Sequence, residues 1–168
     1  MSFQDFVEEH KGCSYSEEHI RPKGGTITHQ EKGKEYRYEY NTGETFLKIH
    51  VDGGLVQDNT EKCDYLLLNT TGMETNKTNY HAIFIELKGS DIIKACKQLL
   101  ETITMFSPML KPANMHARIV VSKFKKGHTP KVIELQYLPQ FKNKKCSFDH
   151  QTGQMVEHTG KDGHPTRK

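Results

Sequence analysis

A strand, a helix and a second strand follow one another in the middle of the chain, and this order limits the possible folds most strongly. The segments 81–89 (HAIFIELKG) and 117–124 (ARIVVSKF) are apolar and rich in β-branched residues, as expected for buried strands. Between them, residues 90–106 repeat apolar side chains every three to four positions, which predicts an amphipathic helix with Ser90 as its N-cap. Because a helix that links two neighbouring strands makes a right-handed crossover, we expect these strands to be parallel.

The other predicted elements are mostly strands. Residues 26–41 alternate around Lys32-Gly33-Lys34, which predicts a hairpin. Further strands are predicted at 46–51, 63–69 and 131–138, and a short helix at 2–11. Short turns join the early strands, which are therefore expected to be antiparallel, and the weakly alternating tail is expected to become a loop from Gly160. This order indicates an α/β (α+β) fold: a mixed central β-sheet with a crossover helix.

The apolar residues are concentrated in the middle of the chain. Of the 36 Leu, Ile, Val and Phe residues among 168, 28 lie between Phe46 and Leu138. A chain of this length is typical of one domain. We therefore predict a single domain over residues 1–168, with its core at about 26–138 and polar flanks on either side.

Several classes of protein are disfavoured by the composition. The sequence has no apolar run long enough for a transmembrane helix, and its first residues, MSFQDFVEEHKG, lack the apolar segment of a secretory signal, which predicts a cytoplasmic protein. The four cysteines are far apart and form no CxxC pair, so we expect free thiols rather than disulfides or a zinc ribbon. The spacing of His150, His158 and His164 matches no common zinc pattern.

The charge is unevenly distributed. Residues 1–84 carry a net charge of −5 and residues 85–168 a net charge of +8. A basic half suits a polyanionic partner such as nucleic acid. The equally simple alternative is that the charge serves only solubility.

Two strand ends bring together residue types that can do chemistry. Glu86 and Lys88 are two residues apart near the end of one predicted strand, so both side chains point to one face. If the preceding strand pairs antiparallel with it, Asp64 lies beside them. Two carboxylates and one amine would then meet at a sheet edge. The alternative is that Glu86 and Lys88 are surface charges and that Asp64 only begins a strand.

This arrangement resembles the PD-(D/E)XK, or restriction-endonuclease-like, nuclease superfamily. The matching residues are Asp64, then Glu86-Leu87-Lys88 at the end of the next strand, then Gln98 in the following helix. The resemblance covers roughly residues 46–125 and implies a restriction-endonuclease-like core, phosphodiester hydrolysis with Mg²⁺ (Mn²⁺ substituting), and DNA as the substrate in repair, junction resolution or defence. A small nuclease of this kind would act as a homodimer, so that two sites address two strands.

The resemblance also assigns roles to these residues. Asp64 and Glu86 would hold the metal through oxygen, and the carbonyl of Leu87 would complete the set. Lys88 would orient the attacking water and stabilise the developing charge, and Gln98 would position substrate or water. An upstream acid is expected as a further ligand, with Asp52 as the main candidate and Glu44 as a weaker one; the Asp52-Gly53 pair is also common in turns.

Clusters of basic residues provide candidate contacts to a phosphate backbone. The residues predicted to bind nucleic acid are Lys94, Lys97, Lys123, Lys125 and Lys126, and a second basic run comprises Lys142, Lys144 and Lys145. The alternative is that these lysines are solvated surface residues. Two other functions therefore remain open at this point: a non-catalytic nucleic-acid-binding or protein-interaction module on the same fold, and an unrelated α+β interaction protein in which the motif is accidental.

Overall fold

The protein is an α+β structure with two mixed β-sheets and four α-helices among its described residues. The computed structural model describes residues 1–10, 17–20, 23–56, 58–71, 73, 80–111 and 113–168. The prediction of a mixed α+β fold is confirmed.

The main sheet has six strands in the spatial order β1-β4-β5-β6-β7-β8. Its strands are β1 (Glu17–Ile20), β4 (Phe46–His50), β5 (Tyr65–Asn69), β6 (His81–Lys88), β7 (Asn114–Val121) and β8 (Cys146–Thr152). The first four strands in that order pair antiparallel, whereas β6, β7 and β8 are parallel. The predicted parallel pairing across the crossover and the antiparallel pairing of the earlier strands are therefore correct.

The crossover helix α2 (Ile92–Phe106) joins β6 to β7. Its predicted apolar stripe is buried, including Ile92, Cys96, Leu99 and Ile103. The predicted N-cap is wrong by one residue, because the side chain of Asp91, and not that of Ser90, accepts a hydrogen bond of 3.0 Å from the backbone N–H of Lys94. A carboxylate at this position also interacts favourably with the positive end of the helix dipole.

A second sheet of four strands has the spatial order β10-β9-β3-β2. Its strands are β2 (Lys23–Glu31), β3 (Lys34–Thr42), β9 (Gln154–Thr159) and β10 (Pro165–Arg167). The predicted hairpin forms β2 and β3, and it turns at Lys32 and Gly33, whose φ angles are both positive. The β3 strand then pairs parallel with β9, which lies far away in the sequence.

The main sheet is covered on both faces. On one face, α2 and the helix α1 (Phe3–His10) contribute to an apolar cluster with side chains such as Phe84, Leu99 and Phe6. On the other face, Tyr36 and Tyr38 of β3 pack with Ile83 and Ile85 of β6. Side chains of β6 therefore alternate between the face covered by α2 and the face covered by the second sheet. Glu86 and Lys88 have the same parity as Phe84 and belong to the face covered by α2.

The segment predicted as a strand at 131–138 is helical, so this prediction is wrong. It forms the helices α3 (Pro130–Gln136) and α4 (Leu138–Asn143). Ile133, Tyr137 and Phe141 recur every four residues and are all buried, whereas Leu135, which a strand would place on the same face as Ile133, is 67% exposed. The helical period thus accounts for the burial, and Pro130 fits the first helical turn.

The terminal regions contribute more than the predicted polar flanks. Phe3 and Phe6 near the start, and Phe141 and Met155 near the end, are buried, so the core extends beyond residues 26–138. The weakly alternating tail forms β8 and β9.

Two further observations concern the cysteines and the helices. Cys63, Cys96 and Cys146 are buried free thiols, while Cys13 lies outside the described residues. In the part of the chain that the structure describes, no helix combines the length and the hydrophobicity that crossing a membrane requires.

Candidate functional site

The side chains of Asp64 and Glu86 each accept a hydrogen bond from a backbone N–H of the facing strand region, where β5 begins and β6 ends. Because Tyr65 pairs with Ile85, Asp64 immediately precedes the paired strands and lies opposite Glu86. The Glu86 Oε2 atom accepts a hydrogen bond of 3.1 Å from the backbone N–H of Asp64. The Asp64 Oδ2 atom accepts one of 2.7 Å from the backbone N–H of Leu87. The two carboxylates are therefore held at one position on the sheet.

The backbone of Leu87 is directed toward the same position. The N–H and C=O of one residue in a strand point to the same side, and the N–H of Leu87 is bonded to Asp64. The carbonyl of Leu87 consequently faces the strand edge that carries Asp64. This is the orientation that a backbone ligand beside the two carboxylates requires.

Lys88 and Gln98 form the next part of the site. The Lys88 Nζ atom lies 3.5 Å from Glu86 Oε1 and donates a hydrogen bond of 2.9 Å to Gln98 Oε1. The Gln98 Nε2 atom donates a bond of 2.9 Å to the backbone carbonyl of Lys62. Since an ammonium only donates and a carbonyl only accepts, these two partners fix the orientation of the amide. Gln98 is buried on α2 and is not a solvated surface residue.

The electrostatics of the two carboxylates are unfavourable for simultaneous ionisation. Burial, with the negative charge of Asp64 as the second cause, raises the pKa of Glu86 to about 8. Burial also raises the pKa of Asp64 above its ordinary value, although the hydrogen bond from Leu87 opposes this shift. Lys88 lowers both pKa values but does not cancel the effect of burial. A bound cation would remove this cost, because opposite charge favours the ionised carboxylates.

The two upstream acids lie in different places. Asp52 lies in a turn after β4, with its side chain 53% exposed, and its charge contributes to the raised pKa of Asp64. Among the described residues, Asp52 belongs to no group of three or more metal-ligating side chains. Glu44 accepts hydrogen bonds from the backbone N–H of Asn41 and the hydroxyl of Thr159, in the turn that precedes β4. Of the two upstream acids, only Asp52 therefore lies near the carboxylates of Asp64 and Glu86.

Sequence reasoning missed two charged residues around this site. The side chain of Lys62 is buried, and its Nζ atom lies 3.2 Å from Asp58 Oδ1 and 4.0 Å from Asp52 Oδ1. Glu31, at the end of β2, contributes to the raised pKa of Asp64. The packing of the second sheet brings Glu31 to this region, so no local spacing in the sequence could have identified it.

The five lysines predicted to bind nucleic acid are exposed, and they lie on segments that follow the ends of β6 and β7. Lys123, Lys125 and Lys126 follow β7, and the backbone N–H of Lys125 donates to the carbonyl of Ser90, just after β6. Lys94 and Lys97 lie on α2, which contributes Gln98 to the site. These five lysines, on α2 and in the segment after β7, are here called the basic rim.

The second basic run lies at the opposite end of the central strands from the carboxylates. Lys142, Lys144 and Lys145 precede Cys146, which pairs with Met115 near the beginning of β7. This run is therefore separated from the carboxylates by the length of the central strands. Phe141, which precedes this run in the sequence, is fully buried.

The residues present fit a hard cation such as Mg²⁺. The donor set consists of carboxylate oxygens and a backbone carbonyl, which Mg²⁺ prefers over nitrogen or sulfur. Burial and the charge of Asp64 raise the pKa of Glu86, and a bound cation would lower it. Asp64 and Lys88 are only half-buried, so solvent reaches the site.

The comparisons with other proteins assign no family. No protein-family model, no curated protein and no solved structure matches this chain. A functional interpretation must therefore rest on the arrangement of Asp64, Glu86, Lys88 and Gln98.

Proposed function

We propose that the protein is a small Mg²⁺-dependent nuclease with a restriction-endonuclease-like core, acting on DNA as a homodimer. The observation that carries this proposal is the connected arrangement of Asp64, Glu86, Lys88 and Gln98 at the end of β6. The start of β5, the end of β6 and the helix α2 bring these four residues together through hydrogen bonds and one ion pair. The resemblance of these residues to the PD-(D/E)XK motif supports the assignment of the reaction.

Each residue would have a distinct role in hydrolysis. A bound Mg²⁺ would polarise a phosphate oxygen and lower the pKa of a bound water. Asp64, Glu86 and the carbonyl of Leu87 would hold the ion. Lys88 would donate a hydrogen bond to the attacking water or to the phosphate, where negative charge develops. Gln98 would keep the Lys88 ammonium in place as a positioning residue, because it accepts a bond from that ammonium.

The basic rim would bind the phosphate backbone beside the carboxylates. Each of its five exposed lysines can pair with one phosphate, and replacing one of them by alanine should reduce the salt dependence of binding by about one unit. The lysines bind without reading bases, so this surface supports affinity rather than sequence specificity.

The decisive experiment compares the wild type with Lys88→Ala. Both proteins are incubated with plasmid, linear duplex, single-stranded and branched DNA in the presence of Mg²⁺ or Mn²⁺. We expect Lys88→Ala to lose at least about 100-fold in cleavage rate, the scale of losing one preorganised donor. Its DNA affinity should change little, because one lysine contributes only a small part of a backbone-wide interaction.

A matched control uses a lysine remote from the site. Lys142 lies at the opposite end of the central strands, so the Lys142→Ala variant should cleave DNA at the wild-type rate. Cleavage by Lys88→Ala at the wild-type rate would assign any activity to another site or a contaminant. If neither protein cuts any of these substrates but both bind DNA, the protein is a binding module on this fold and the nuclease proposal fails.

A further inference from the structure

Three histidines meet at the end of the main sheet opposite the carboxylates. His81 begins β6 and His116 lies on the neighbouring strand β7, while His164 lies between β9 and β10. One nitrogen from each side chain lies within 4.8 Å of the other two. Glu86 follows His81 by five residues on the same strand, so the two sites are about 16 Å apart along it.

The two buried histidines have hydrogen-bond partners on their outer sides. The His81 Nε2 atom lies 2.9 Å from the backbone carbonyl of Asp162, and the His116 Nδ1 atom lies 2.7 Å from Ser147 Oγ. The inner nitrogens, His81 Nδ1 and His116 Nε2, are 3.0 Å apart. Metal-binding histidines commonly donate their second N–H to a carbonyl or another acceptor, which directs the free lone pair toward the metal.

These partners determine where the protons lie. A carbonyl only accepts, so His81 carries its proton on Nε2 and presents a lone pair at Nδ1. Without a metal, the N–H of His116 Nε2 donates to that lone pair, and the Ser147 hydroxyl donates to His116 Nδ1. When a metal binds, the proton of the neutral His116 ring moves from Nε2 to Nδ1. The Ser147 hydroxyl rotates to accept it, and both inner nitrogens can then ligate.

The turn before His164 is shaped to approach His81 closely. Asp162 has a positive φ of 56°, which is unfavourable for a residue with a side chain, and Gly163 has a φ of 80°. A Cβ atom on Gly163 would lie only 3.0 Å from His81 Nε2. The glycine thus lets the backbone rest against the His81 ring and brings His164 to the other two histidines.

We propose that His81, His116 and His164 bind one Zn²⁺ ion. Imidazole nitrogens are preferred zinc ligands, and with Zn–N distances of about 2.0–2.1 Å the ligand nitrogens of a tetrahedral site lie about 3.3 Å apart. The 3.0 Å between the inner nitrogens is close to this value, and the exposed His164 side chain can rotate to complete the set.

Burial prepares the two inner histidines for this role. It lowers the pKa of His81 and lowers the pKa of His116 to about 2, so both rings are neutral at physiological pH. Three protein ligands leave the fourth position of a tetrahedral zinc ion open. A surface cavity of about 410 Å³, lined by His116, His164, Arg118 and Arg167 among others, lies beside the group. The open position would take a water molecule or a small anion from this cavity.

The test measures zinc binding by protein that carries no histidine tag. Zn²⁺ is titrated in competition with a chromophoric chelator, in millimolar Mg²⁺ so that the carboxylates at the other site are supplied with their own ion. The wild type should bind one Zn²⁺ per chain. His164→Ala should weaken this binding by at least about 100-fold, since losing a ligand costs more than the about 10- to 100-fold of losing an outer partner.

Two further variants separate a metal site from a general effect on the fold. Ser147→Ala removes the acceptor for His116 and should weaken zinc binding by about 10- to 100-fold, with the fold preserved because Ser147 is exposed. His158→Ala removes a histidine of β9 outside the group and should bind zinc as the wild type does. Equal zinc affinity in the wild type and His164→Ala, or an equal loss in His158→Ala, would overturn the proposal.

Discussion

Replacing Glu86 by glutamine should stabilise the metal-free protein at alkaline pH. The Glu86 side chain is only 1% exposed, and its pKa is raised to about 8 by burial and by the charge of Asp64. Above that pH the folded protein must hold a buried negative charge beside a second carboxylate. Glutamine has nearly the same shape and can still accept the bond from the Asp64 N–H, but it carries no charge.

The sign and size of the effect follow from the two pKa values of Glu86. Between its ordinary value of 4.5 and the folded value of about 8, the folded protein keeps a proton that the unfolded chain has released. The free energy of unfolding therefore falls as pH rises through this window. At about 1.4 kcal/mol per pKa unit, the loss from this group reaches roughly 4 kcal/mol at pH 8.

Urea unfolding at several pH values between 4 and 9, in the presence of a chelator, measures this dependence. We expect the wild type to lose stability relative to Glu86→Gln as the pH rises, by up to roughly 4 kcal/mol. Glu101→Gln is the matched control, because Glu101 is an exposed carboxylate on α2, and its curve should run parallel to that of the wild type. Parallel curves for the wild type and Glu86→Gln would refute the reasoning.

Three further predictions address the metal, the positioning residue and the corrected helices. Mn²⁺ should raise the midpoint of thermal unfolding of the wild type, and Glu86→Gln should lose most of that gain, whereas an equal gain in both would contradict a shared metal ligand. Gln98→Leu should lower kcat for DNA cleavage at least about 10-fold with little change in KM, because Lys88 loses its fixed partner; an unchanged kcat would remove Gln98 from the site. Phe141→Ala should destabilise the protein by about 3 to 5 kcal/mol in urea unfolding, and Leu135→Ala by no more than about 0.5 kcal/mol, because only Phe141 is buried; the reverse order would contradict the helical register.

The parts of the fold that could be predicted are those with a local pattern. The period of α2 is visible in its own residues, and the two-residue spacing of Glu86 and Lys88 places both on one face of β6. The prediction of a strand at 131–138 was wrong because the apolar residues of this segment fit the two-residue period of a strand as well as the period of a helix. The burial of Phe141, which lies outside this segment, favours the helix. The apolar alternation of β8 is only weak, because Cys146 is the only one of its residues that is fully buried.

The candidate site shows the same limit. The four site residues Asp64, Glu86, Lys88 and Gln98 lie at the start of β5, at the end of β6 and on α2. These elements follow one another along the chain and are neighbours in the fold, so the sequence could predict that the residues meet. Glu31 reaches the site only because a second sheet packs on the first. The three histidines are 35 and 48 positions apart in the chain, and no spacing rule connects them.

The pairing of β3 with β9 has a consequence for the synthesis of the chain. Tyr36 of β3 donates a hydrogen bond of 2.6 Å to Glu157 of β9, a residue 121 positions later, which also pairs with Arg118 of β7 at 2.8 Å. Until the ribosome has delivered β8 and β9, a nascent chain exposes the edges of β3 and β7 and leaves Arg118 without its carboxylate. Such edges recruit strands from other chains. Slow elongation through residues 122–145 would therefore favour aggregation, and rapid delivery of the last strands, or a chaperone that covers these edges, would favour the native pairing.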